Sequence, residues 1–462
     1  MKETAKRIMK FSFDRYEETE RKLEKLAEKG LFLKECGSFL WTFEKGAPKK
    51  LKYAVTFFSE GSVFNPGITD NQQTYFDYAK AAGWNFVTGF NQMQIFSSED
   101  DNPIPFETDE KEKLDNIKRC MKKSFVPSML VMILVFALNL LVQFNSFKLS
   151  PIDFLSDPNR LLPALMILAV VIYDVYSLLN YFFWVKRSDR SIATYGICAK
   201  RGSLVHRIVD IFFMAFIFFS AAYLLFYLAL NTSWFGLVLT LVQMPILMII
   251  FWSSIKYLKK KKASAMKNKV ISISLLVIAD FAYIALLMVF IMRFGFAAGD
   301  DSNYRTVDWQ LTKTESHEFR LYSDEIPLTC EDLYGSIDYE YYSYESEIDS
   351  SIFLSKSAYR QDTLPAKGGP PRIKYEIIDP KFDFVYQLAK DDLLEIPEWR
   401  DKDSFKPIDN KIFETLEAYQ SYWGDKASGE YTLFFEDKII VLDMEERLTP
   451  KQISIVKEKL QI

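Results

Sequence analysis

Five long apolar runs occupy the middle of the chain, at residues 126–144, 161–184, 208–230, 235–257 and 270–292. Each has about the 17–25 residues that a helix needs to cross the hydrocarbon core of a bilayer. Lipid offers no partner for backbone polar groups, so the runs predict transmembrane helices. Pro245 interrupts the fourth run and leaves a re-entrant segment as the alternative there.

The polar flank before the runs follows shorter periods. Residues 6–13 alternate as a strand. A helix follows, capped by Asp14 with Glu17 placed for a capping box, and stops at Gly30; strands come next at 31–33 and 39–43. The pattern returns as a strand at 53–58, a helix at 70–82 stopped by Gly83, and strands at 84–88 and 92–96. Gly30 is as far from Phe43 as Gly83 is from Phe96, and Leu23 and Phe76 hold matching helix positions. Two βαββ halves are expected, packed as an α+β sandwich with helices on one face of an antiparallel sheet. Residues 108–123 read as a helix running into the first span, with Pro127 placed to interrupt it.

The flank after the runs also reads as α+β. Strands are expected at 315–322, 351–358 and 372–378, and helices from Pro380 to about 395 and over 411–423. A hairpin of 431–435 with 438–442 follows. Thr449, Pro450 and Gln452 supply the cap, first-turn proline and reciprocal acceptor of a last helix, 450–460. The segment 367–371, Lys-Gly-Gly-Pro-Pro, reads as a loop. The chain therefore divides into an α+β domain (1–107), a juxtamembrane helix (108–125), a five-helix membrane region (126–296) and a second α+β domain (297–462) beginning near Gly299-Asp300-Asp301.

Charge adds an orientation. Lys118, Arg119, Lys122 and Lys123 precede the first span, Lys186 to Arg207 carry the second loop's basic residues, and Lys256 to Lys269 the fourth loop's. The loop after the first span has only Lys148 and Arg160, and the turn Asn231-Thr232-Ser233 has none. The positive-inside rule then makes the N-terminus cytoplasmic and the C-terminus extracytoplasmic. The first residues are polar, so the first span is expected to act as an uncleaved insertion signal. The net charge of −4 hides an acidic C-terminal segment, with about 35 acidic and about 20 basic residues after Ala297. The basic loops suit contact with anionic lipid, and nucleic acid is not an expected partner.

Little else points to chemistry. Cys36, Cys120 and Cys198 fall on the cytoplasmic side and Cys330 alone outside, which excludes a disulfide within the outer domain. His317-Glu318 lacks the second histidine of a zinc-protease motif, and no glycine-rich phosphate loop, metal set, cofactor motif or catalytic set is present. Asp174 and Asp280 are the sharpest local signals. Each is ten residues from the cytoplasmic end of its span, about 15 Å deep at 1.5 Å per residue. Carboxylates at that depth face a bundle interior or water, and Asn139, Gln143, Asn180 and Gln243 are candidate neighbours. Asp210, near the cytoplasmic boundary, is expected to pair with a basic loop residue. Outside, Tyr339, Glu340, Tyr341, Tyr342, Glu345 and Glu347 lie in a tyrosine-rich acidic segment, 334–349. Flat aromatic area with carboxylates suits a cationic ligand; a solvated edge strand is the alternative.

The segment Gly30–Gly46, with Gly-Leu-Phe at its start and Phe-Leu-Trp-Thr-Phe-Glu-Lys-Gly at its end, resembles the bacterial domain-of-unknown-function 2812 family. So do Lys52-Tyr53, Ala82-Gly83-Trp84, the apolar middle, and Asp324-Glu325-Ile326-Pro327-Leu328. These motifs imply a fold and no activity. Members are typically membrane proteins of Gram-positive bacteria, often encoded beside PadR-type repressors, which implies a regulated envelope role. A non-enzymatic sensor or regulatory protein is the leading expectation, with an outer ligand- or partner-binding domain and a protein partner for the cytoplasmic domain. A transporter or channel component using the membrane carboxylates, and a scaffold protecting against envelope-active toxins, are the alternatives.

Overall fold

The computed structural model describes residues 3–9, 13–37, 40–106, 109–199, 204–231, 234–294, 304–312, 315–335, 341–364, 372–395, 403–444 and 446–462. Thr232-Ser233, the boundary at Gly299-Asp300-Asp301 and the loop 367–371 lie outside these residues, as do the side chains of His206 and His317. The described chain forms two compact units. One is Met1–Ala137 with Ala169–Ala298, the other Leu138–Leu168 with Gly299–Ile462.

The N-terminal domain begins with β1 (Thr4–Ile8), α1 (Tyr16–Ala27), β2 (Leu31–Glu35) and β3 (Leu40–Lys45). It continues with β4 (Lys52–Phe57), α2 (Asp70–Ala81), β5 (Asn85–Phe90) and β6 (Met93–Ser98). The strands make two antiparallel three-stranded sheets, β1-β3-β2 and β4-β6-β5, each with the same order and helix position. The registers also correspond. Phe32, Leu33 and Glu35 pair with Glu44, Phe43 and Thr42 across a bulge, and Asn85, Phe86 and Thr88 pair with Ser97, Phe96 and Ile95 across another. The single sheet expected from sequence is therefore two. Each facing edge strand, β2 and β5, carries a bulge, which bends it and interrupts a ladder; Cys36 N donates to Thr88 Oγ1 at 3.4 Å instead.

Local chemistry fixes most boundaries. In α1, Tyr16, Thr19, Leu23 and Ala27 are buried at helical spacing. Gly30 follows at φ +76°, and a Cβ there would meet the Gly46 carbonyl oxygen at 2.2 Å, so only glycine closes this turn. Thr69 caps α2 by accepting from Gln72 N. The expected Asp14 cap is replaced by a 3-10 turn, Phe13–Arg15, with Arg15 at the N-cap and no side-chain cap bond. Arg15 is drawn instead to Asp210, 3.4 Å away, so a tertiary ion pair sets the helix entry. β1 stops at Ile8, where its pairing with β3 ends.

Then come α3 (Glu110–Lys123), α4 (Phe125–Leu149), α5 (Pro151–Ser156), α6 (Pro158–Tyr195), α7 (Leu204–Asn231), α8 (Trp234–Lys260) and α9 (Ala265–Phe294). Among the described residues, five helices are long and apolar enough to cross a membrane. At most 11% of each apolar window is buried in protein, so lipid would cover most of it. α8 continues through Pro245, which removes the re-entrant alternative. α3 and α4 meet at Ser124, next to Lys123, whose carbonyl Pro127 cannot bond. α4 and α6 each belong to both units.

The C-terminal domain has a hairpin, β7 (Tyr304–Thr312) and β8 (Glu315–Tyr322), then α10 (Cys330–Tyr334), β9 (Tyr341–Ser350), β10 (Leu354–Leu364), β11 (Ile373–Pro380) and α11 (Asp383–Leu394). β12 (Asp403–Pro407), β13 (Glu417–Trp423), β14 (Lys426–Phe434), β15 (Ile439–Met444) and α12 (Pro450–Leu460) complete it. Seven strands form one antiparallel sheet in the order β12-β13-β14-β15-β11-β10-β9. Adjacent residues point to opposite faces. Leu433 and Ile440 pack with Leu333, Val456 and Leu460 on one face, while Phe434 and Ile439 pack with Ile152, Val385 and Ala389 on the other. Residues 411–423, expected as a helix, are a 3-10 turn at Asn410–Ile412 followed by β13, paired to both β12 and β14. α12 and its Thr449–Gln452 capping box match the expectation.

Candidate functional site

Polar and apolar contacts hold the N-terminal domain on the long helices. α3 buries Leu114, Ile117, Cys120 and Met121 along one face, and these share a core with Trp41, Phe43, Tyr181 and Trp184. Tyr181 and Trp184 come from α6, so the domain core extends onto a membrane helix. Trp184 Nε1 donates to the Ala199 carbonyl at 3.0 Å. Lys118 pairs with Asp189 at 2.7 Å, and Cys198 N donates to the Glu110 carboxylate at 3.1 Å. On α7, Arg207 pairs with Glu18 at 3.0 Å. Asp210 receives Arg15 and the Tyr173 hydroxyl, the latter at 2.9 Å, while the Tyr173 ring stacks on Phe213 at 4.0 Å. On α9, Asn268 donates to the Phe64 carbonyl at 3.0 Å. Asp210 was expected to bind a loop cation; its partner is a domain residue, because α1 enters beside α7.

Cys198 and Cys36 are not built as nucleophiles. Burial and the Glu110 carboxylate push the Cys198 thiol up to about 12, and burial takes Cys36 to about 11. Both stay protonated near neutrality, where a nucleophilic cysteine needs its thiolate. Burial lifts Glu20 to about 7, although its carboxylate accepts from Val55 N at 2.8 Å. A raised carboxyl favours the folded state below its unfolded value, near 4.5, and that contribution is lost as pH rises through about 7. Among the described residues, no group of three His, Cys, Asp or Glu side chains is placed to hold a metal.

The polar residues of the long helices separate. Asp174 is 5% exposed, and its Oδ2 has no hydrogen-bond partner. It lies on the face of α6 that also buries Tyr181, Trp184 and Ser188. Asp280 accepts from Gln243 Nε2 at 2.9 Å, joining α9 to α8. No hydrogen bond links the two carboxylates among the described residues. Asn139 is exposed on α4, and Gln143 and Asn180 are half-buried.

In the C-terminal domain residues 341–349 of the acidic tyrosine segment lie in β9, the edge strand of the sheet, and Tyr334 ends α10. Tyr339 and Glu340 lie outside the described residues. Alternation sets Tyr342 and Tyr344 on one face, their rings parallel at 6.2 Å, and Tyr341, Glu345 and Glu347 on the other. Residues interleaved in sequence are thus largely parted in space. Glu345 also stands opposite Arg360, and Asp349 opposite Lys356. Sequence reasoning missed α5. This short helix inserts Ile152 into the domain core, and its Asp153 pairs with Lys356 at 2.7 Å. Its signal was the Ser150-Pro151 start, hidden in a connection read only for charge.

No curated protein and no solved structure matches the chain. Residues 15–129, from the turn before α1 to the start of α4, match a family model described as a protein of unknown function, DUF2812. That segment of the chain belongs to the domain-of-unknown-function 2812 family.

Proposed function

We propose that the chain is a non-enzymatic sensor or regulatory protein that couples an extracytoplasmic domain to a cytoplasmic one through its membrane helices. The basic loops all lie in the unit of the N-terminal domain, and the loop after the first span, with only Lys148 and Arg160, lies in the unit of the C-terminal domain, which supports a cytoplasmic N-terminus. The matching registers of the two N-terminal sheets support an internal duplication of the cytoplasmic domain.

One observation carries the coupling. α4, α5 and α6 run consecutively, and each domain holds a part of them. The N-terminal domain grips one end through Tyr181, Trp184 and the Lys118–Asp189 pair. The C-terminal domain grips the other through Ile152 and the Asp153–Lys356 pair. A ligand or protein partner that shifts α5 would move the helices that the N-terminal domain reads.

The test is Ile152→Ala in full-length protein in lipid nanodiscs. The substitution should loosen α5 by about 2–5 kcal/mol. Amide exchange in α3 should then quicken by a factor on the order of 5–150, the usual range for coupled sites. Exchange in α3 equal to wild type would contradict the coupling.

A transport role is the second reading, favoured by the unpartnered Oδ2 of buried Asp174. A sensor predicts proteoliposomes with no proton or cation flux above empty vesicles, and normal insertion of Asp174→Asn and Asp280→Asn. Flux that either substitution abolishes would overturn the sensor in favour of the transporter.

A further inference from the structure

A cavity of about 780 Å³ opens where the N-terminal domain meets one end of α8. α8 contributes Met248, Trp252, Lys256 and Lys259, a face that passes from apolar to cationic as the helix leaves its apolar stretch. The domain contributes the loop of Gly61, Ser62, Asn65 and Gly67, together with Gln72, Phe86, Phe90 and Gln94. The loop is anchored on both sides: Phe64 packs edge-on against Phe251 and accepts from Asn268, while Asn65 donates to the Glu60 carbonyl at 3.0 Å.

Two features point to a ligand, the apolar wall and the cations beside it. Lys256 and Lys259 have no carboxylate partner among the described residues. Glu35, the one carboxylate among the lining residues, is exposed and pairs with neither. Gln94 is 2% exposed and lines the cavity, its carbonyl accepting from Gln72 Nε2 at 3.2 Å. Gly89 makes room for it, since a Cβ there would lie 2.6 Å from Gln94 Oε1.

We propose that this cavity binds the phosphate headgroup of an anionic membrane lipid, with Lys256 and Lys259 on the phosphate and the acyl chains leaving along Met248 and Trp252. A compact phosphate fits the point charges of two lysines, and the apolar half of the wall fits the chain beside it. The inference rests on α8 crossing a membrane and stands whether or not the protein is a sensor.

Native mass spectrometry of the full-length protein in neutral detergent tests it. Phosphatidylglycerol, phosphatidylcholine or inorganic phosphate is added at equal concentration. One phosphatidylglycerol should be retained in preference to phosphatidylcholine. The double variant Lys256→Gln, Lys259→Gln should lower retention about tenfold or more, as expected for loss of two charge-assisted contacts. Lys260→Gln, Lys262→Gln, outside the cavity lining, should leave it unchanged. Equal retention of the two lipids, equal loss in both double variants, or displacement of the lipid by an equal concentration of inorganic phosphate would overturn the proposal. The last result would identify a free-anion site instead.

Discussion

Trp184→Ala is expected to lower the thermal midpoint of the N-terminal domain by at least about 10 °C, at roughly 4–8 °C per kcal/mol for a domain of this size. Trp184 is 4% exposed and shares the domain core with Trp41, Phe43, Leu114 and Ile117 although it belongs to a membrane helix. Truncating a buried tryptophan costs about 3–5 kcal/mol through lost transfer energy and the cavity left behind. The Ala199 carbonyl also loses its donor, 3.0 Å away. Phe183, the adjacent residue, is 69% exposed, so Phe183→Ala should leave the midpoint in place. Calorimetry of both variants in nanodiscs checks this. Equal midpoints would mean that the domain folds without α6, and that docking contributes nothing to its stability.

The same region shows what the sequence could and could not reveal. The five membrane helices are legible because lipid imposes one rule along their whole length: long apolar runs with self-satisfied backbones. α12 is legible because its cap, proline and acceptor are contiguous, and the Thr449–Gln452 box forms as written. β13 was misread because Glu417–Trp423 is strand only by virtue of neighbours distant in sequence. Its burial alternates at Ala418 and Gln420, and β14 pairs along it, yet the preceding turn resembles a helix start. Glu414 there adopts φ +56°, which ends any helical continuation. The Arg15–Asp210–Tyr173 cluster joins residues from three elements, and no local pattern marks it. Asp174 and Asp280 were found as rare charges in apolar runs, but their surroundings depend on which helix lies beside which: Gln243 reaches Asp280, and Asp174 Oδ2 is left without a partner. The tyrosines and acids of β9 form one cluster in sequence, and the strand's two-residue period divides them.

The register match between the N-terminal sheets was legible only as an interval. Gly30 and Gly83 end their helices with φ of +76° and +87°, and Phe43 and Phe96 are both fully buried. The bulges, which give the correspondence its detail, carry no glycine or proline and leave no mark in the sequence.

Opposite placement of the two domains is the premise of the whole proposal, and impermeant thiol labelling of intact cells tests it most directly. A single cysteine is introduced at Ser264 or at Asp425, with the four native cysteines replaced by alanine. Both positions are exposed, Ser264 in the turn between α8 and α9 and Asp425 in the turn between β13 and β14. Ser421, nearby in sequence, is unsuitable because β13 leaves it 5% exposed. The proposal predicts labelling of Asp425→Cys in intact cells, and of Ser264→Cys only after the membrane is permeabilised. Labelling of Ser264→Cys with protection of Asp425→Cys would reverse the orientation, and equal labelling of both in intact cells would place the domains on one side and end the proposal of coupling across the membrane.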